Sequence, residues 1–130
     1  MSGYDDLQGE VTVAERLGKL IDQLSRNIGL DSDDHNFVGR VAEGVGAEVD
    51  LPRGGSQDDA KAVLAGLREA WARGSRQTGA ALIRAYRAEE ANNLIEASQI
   101  LLATRDALAM PFYSAILDGE RHRIEAAELN

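Results

Sequence analysis

The chain predicts an all-α fold, a compact bundle of five to six helices. Three observations carry this: only two prolines interrupt it, aromatic residues make up 5%, and apolar residues recur at spacings of three and four without strand alternation. Its 130 residues fit one helical domain, 1–130. A chain of that length buries roughly two thirds of the surface exposed when unfolded, so its core needs no staple.

The first helix has the clearest pattern. Val13, Leu17, Leu20, Ile21, Leu24 and Ile28 repeat on one face, Thr12 and Glu15 have capping-box spacing, and Gly29 is placed to stop the helix. The second is expected to begin after Asp31 or Ser32 and to bury Phe37, Val38, Val41 and Val45. Gly39, Ala42 and Gly46 form a small face on it that suggests a close helix crossing. A loop is predicted over 47–55, where Pro52 and the pair Gly54 and Gly55 oppose regular structure.

Ser56 and Asp59 can cap a third helix with Ala60, Val63, Leu64, Leu67 and Trp71 as its stripe, and Gly74 is expected to end it. A fourth helix starts near Arg76, with Leu82, Ile83 and Tyr86 on one face and Ala81, Ala85 and Ala88 on the next. Residues 76–109 contain no proline and a single glycine, Gly79, and admit one helix of about 51 Å. The preferred reading is a break at the polar cluster Glu89, Glu90, Asn92 and Asn93, with Asn93 and Glu96 capping the next helix over Leu94, Ala97, Leu101 and Leu108. Pro111 opens the last helical segment, which Asp118 and Gly119 are expected to interrupt before Ile124.

The absence of cysteine excludes disulfides, thiolate metal sites and cysteine nucleophiles. No run approaches the roughly 18–20 apolar residues of a membrane span, and the first 15 residues carry four acids and no base, unlike a secretory signal. These features predict a soluble, cytoplasmic protein with no membrane partner. Asp31, Asp33 and Asp34 begin like a calcium loop, but Asn36 stands where glycine is needed and Ala42 where a bidentate glutamate belongs. Neither His35 nor His122 follows a glutamate by three residues, so the paired ligand motif of a di-iron bundle is missing. No cofactor, metal or catalytic residue is assigned.

Charge is sorted along the chain, which is acidic overall at −8: residues 1–60 carry −8, 61–87 carry +5, and 88–130 carry −5. The arginine-rich segment suits a carboxylate-bearing partner. The expected function is non-enzymatic protein–protein interaction or assembly, as an adaptor, inhibitor or structural subunit, with homo-oligomer formation expected and small-residue faces able to admit another helix. The candidate partner-binding residues are Arg73, Arg76, Arg84 and Arg87, with Trp71 and Tyr86 as aromatic anchors. Two alternatives remain at this point. Ala70 and Gly74, followed by Ser75, Arg76, Gln77 and Thr78, resemble the turn of a helix-turn-helix, which would make 60–87 a nucleic-acid-binding regulatory domain; Ala14 and Gly18 match the same spacing less well. The other is a small-ligand or metal-dependent helical-bundle enzyme with Glu90 and Asn93 lining its pocket.

Overall fold

The computed structural model describes residues 10–48, 51 and 57–128. Among them the protein is all-helical, with five helices: α1 (Glu10–Ser25), α2 (Ser32–Gly44), α3 (Gln57–Glu90), α4 (Leu94–Leu108) and α5 (Pro111–Glu128). The chain divides into two compact units, residues 1–73 and 74–130, with the boundary inside α3.

The core of the first unit includes Val13, Leu17, Leu20 and Leu24 of α1, Phe37, Val38 and Val41 of α2, and Leu64, Leu67 and Trp71 of α3. Helix α1 begins at Glu10, so Thr12 lies inside it instead of capping it. It also stops before Gly29. Asn27 takes a left-handed φ of 60°, the N–H of Ile28 reaches back to the Gln23 carbonyl at 2.9 Å, and that of Asn27 reaches Leu24 at 3.1 Å. Asparagine tolerates this conformation because its short polar side chain can bond locally. Ile28 is consequently carried past the helix and stays exposed.

Helix α2 starts where the sequence places it. The Asp31 carboxylate accepts from the Asp34 N–H at 2.8 Å, and the Asp34 carboxylate accepts from the Asp31 N–H at 3.2 Å, a reciprocal capping box. The aspartates that imitate a calcium loop thus serve a helix terminus. Gly39 is exposed, with no heavy atom beyond its own helix within 4 Å of where its Cβ would stand, and Gly46 sits in the C-terminal turn at φ 72°. The expected close crossing therefore does not run through these glycines. Of the predicted 47–55 loop, Ala47, Glu48 and Leu51 lie outside any helix and the rest falls outside the described residues, as does Ser56.

Helix α3 departs most from expectation. It runs 34 residues without a break, so the predicted third and fourth helices are one and Gly74 does not end it. Ser75, Arg76, Gln77 and Thr78 are all helical, which removes the turn that a helix-turn-helix needs. The first match fails in the same way, because α1 passes straight through Gly18. The polar cluster does break the chain, in a turn at 91–93. Asn92 adopts φ 61°, the Asn93 N–H bonds the Ala88 carbonyl at 2.8 Å, and the Asn93 side chain accepts from the Glu96 N–H at 3.2 Å to cap α4. A helix spanning 76–109 is thereby excluded.

In the second unit the buried face of α3 is Ala81, Ala85 and Ala88, set against Ala97 and Leu101 of α4 and Leu117 and Ile124 of α5. Ile83 and Tyr86, the larger residues, are the exposed ones. Helix α5 passes through Asp118 and Gly119 without the expected interruption: Gly119 is solvent-facing, and Asp118 is held by Arg105 at 2.9 Å and Arg121 at 3.3 Å.

Gly74 owes its place in the helix to what lies over it. A Cβ there would overlap the Tyr113 ring and stand 2.9 Å from Met110 Sδ. Both neighbours are buried, so Gly74→Ala is expected to destabilise the protein by about 1–3 kcal/mol through overpacking. Gly79, one turn further along the same helix, has open space at its Cβ. Gly79→Ala should therefore stabilise by roughly 0.5–1 kcal/mol by removing the entropic penalty of a mid-helix glycine. Urea unfolding of the two variants checks both signs.

Candidate surface for partner binding

The periodicity of α3 sets which side chains reach solvent. At about 100° per residue, Arg76, Arg84 and Arg87 of the second unit fall within an arc of roughly 80°, on the side away from the buried Ala81 and Ala85, while Arg73 of the first unit lies away from Leu67 and Trp71. All four are exposed. The side chains of Arg73, Arg84 and Arg87 form no ion pair or hydrogen bond among the described residues.

Arg16, Arg26, Arg105, Arg121 and Arg123, outside the basic segment, pair with carboxylates, whereas the buried Nε of Arg40 has no partner among the described residues. Arg105 pairs with Asp118 at 2.9 Å and Asp106 at 3.0 Å, and Arg121 pairs with Asp118 and with Glu125 at 3.4 Å. Arg123 binds both oxygens of Glu89 at 2.9 Å and Glu120 also at 2.9 Å. In the first unit Arg16 lies 3.6 Å from both Asp33 and Asp34, and its guanidinium is stacked 4.2 Å from the centre of the Phe37 ring. Arg68 lies against α1 instead: its Nη1 is 3.5 Å from where a Cβ of Gly18 would stand.

The two aromatic candidates part company. Trp71 is 1% exposed and belongs to the core of the first unit, so it leaves the candidate surface. Tyr86 is 39% exposed. Its ring centre is 6.0 Å from the Arg123 guanidinium. Partial burial, followed by the nearby Glu120 carboxylate, raises its phenol above the ordinary value, so it remains a neutral donor. It can touch a partner only at the edge of the arginine face.

Sequence reasoning missed a groove between α3 and α4 in the second unit, of about 570 Å³. Ala80, Ala81, Ala103 and Ala107 line it together with Ile100, and Arg84 and Glu96 bring charge to its walls. The sequence signal was the alanine content of both helices, but only their pairing shows which alanines face each other. Glu90 and Asn93 do not line this groove, and both are exposed. Among the described residues no three carboxylate or histidine side chains converge on a position fit for a metal ion. No helix there is long and apolar enough to cross a membrane.

No family model matches the chain, and no curated protein or solved structure shows significant similarity to it.

The contact between Glu89 and Arg123 ties α3 to α5 and has a defined pH dependence. The hydrogen bonds from Arg123 hold the Glu89 carboxyl below its ordinary 4.5. A depressed carboxyl contributes stability above its unfolded value and loses it as pH falls through the folded one. Glu89→Gln is thus expected to cost about 1 kcal/mol at pH 7, and the difference from wild type should shrink as pH falls below 4.5 and through the lower folded value. Thermal unfolding at a series of pH values reads this directly.

Proposed function

We propose that the protein works by contact, as a non-enzymatic adaptor, inhibitor or assembly component whose arginine-bearing face of α3 docks an acidic protein surface. One observation carries the reading: Arg84 and Arg87 are exposed and without an ionic partner among the described residues, in a protein of net charge −8 whose Arg16, Arg26, Arg105, Arg121 and Arg123 pair with its own carboxylates. Guanidinium groups held on one side of a helix present bidentate donors to carboxylates at fixed spacing. Each such contact is worth about 1 kcal/mol or less when exposed, so useful affinity requires several acting together. A second copy, with its acidic first half, is a partner of the same chemistry and makes self-association part of this proposal. The absence of cysteine, and so of disulfides, supports a cytoplasmic setting.

The test is charge reversal. Arg84→Glu combined with Arg87→Glu should weaken capture of an acidic peptide by at least about tenfold, with unchanged helical circular dichroism because both side chains are exposed. Solution mass across a concentration series reads any self-association in the same samples. Unchanged binding and unchanged mass would overturn the proposal. Tight binding to a nonspecific DNA duplex at 50 mM salt that collapses by 200 mM would instead transfer the arginine face to phosphate recognition.

A further inference from the structure

The groove between α3 and α4 gives the arginine face a shape as well as a charge. Along α3 its wall runs Gln77, Ala80, Arg84, and Arg87 continues the same row. Along α4 it runs Glu96, Ile100, Ala103, Ala107. Both rows alternate steps of three and four, the spacing at which one helix presents a continuous seam to another. The middle of the groove is lined by alanines from both sides, so a third backbone can approach at the close end of the roughly 8–10 Å range of helix packing.

The charges choose the occupant. Arg84 stands on the wall without an ionic partner among the described residues, and Arg87 lies beside it on the same side of α3. The wall's acid, Glu96, already accepts from the Asn93 amide at 2.9 Å. That bond leaves Glu96 its charge, so Arg84 and Arg87 against Glu96 give the two rows a net charge of +1. The described helices of the chain itself have their apolar stripes committed to the core: Leu17 and Leu20 of α1, Phe37 and Val41 of α2, Leu64 and Ala85 of α3, Leu101 of α4, and Leu117 and Ile124 of α5 are all buried. A second copy thus offers no spare apolar stripe from those helices.

Building on the proposed contact function, we infer that the groove between α3 and α4 seats one acidic amphipathic helix from a partner protein, its small apolar residues against Ala80, Ala103 and Ala107 and its carboxylates on Arg84 and Arg87. The probe is a designed peptide of about 16 residues, alanine and leucine on one face and glutamate on its flanks, with a control of equal charge carrying two central prolines that abolish the helix. Fluorescence anisotropy at low salt should show the helical peptide binding at least about tenfold tighter than the control. Ala103→Trp, at an exposed position, should remove that advantage while leaving the circular dichroism unchanged. Ala107→Phe, also exposed, serves if the first variant folds poorly. Arg84→Glu should weaken both peptides. If Arg84→Glu weakens binding but the bulky variants do not, or if the proline control binds equally well, the helix seat is overturned and the arginine surface survives. If Arg84→Glu has no effect, both readings fall. Should wild type self-associate and Ala103→Trp render it monomeric, the occupant is a second copy and the assignment to a partner protein is overturned.

Discussion

The second unit depends on the smallness of one helical face. Ala81, Ala85 and Ala88 form the buried side of α3, opposite Ala97 and Leu101, and Gly74 yields its Cβ volume to Tyr113 and Met110. Little apolar area per residue is gained from such a face, so its contribution comes from close backbone approach and dense van der Waals contact. That geometry fixes what remains outside. With the alanines turned inward, the periodicity of the helix turns Ile83, Tyr86 and the arginines outward. The exposed cationic surface is thus a geometric consequence of how the core is packed.

The ionic side chains divide between two roles along the same logic. Arg105, Arg121 and Arg123 bind carboxylates of their own or a neighbouring helix and act as lateral ties in the second unit. Asp118 shows how such ties compete with burial. Desolvation raises its carboxyl, yet Arg105 and Arg121 together outweigh that and leave it below its ordinary 3.8. Among the described residues the side chains of Arg84 and Arg87 enter no such arrangement, whereas Arg76 makes a contact of its own. A protein that used every guanidinium internally would have no cationic surface to offer.

Much of the fold was legible in the residues. The fold class, the α1 stripe from Val13 to Leu24, the cap at Asp31, the break beside Asn92 and the start at Pro111 all follow from local rules that act within a turn or two. What failed was punctuation whose meaning is set from elsewhere. Gly74 reads as a stop until Tyr113 is known to lie over it, and Gly119 reads as a break although α5 passes through it without strain. Asn27 took the role assigned to Gly29 because either residue tolerates the left-handed turn, and the nearer one ended the helix. The site divided similarly. Which arginines are exposed was readable from periodicity, whereas the burial of Trp71 and the alanine groove depend on pairing between helices that spacing along one helix does not encode.

The placement of the aromatic residues gives the two units separate optical signatures. The chain has a single tryptophan, Trp71, enclosed in the first unit, while Tyr86 and Tyr113 belong to the second. Indole emission therefore follows solvent entry into one half alone, whereas backbone ellipticity averages over both. Any offset between the two signals during denaturation measures how far the halves melt as independent cooperative bodies.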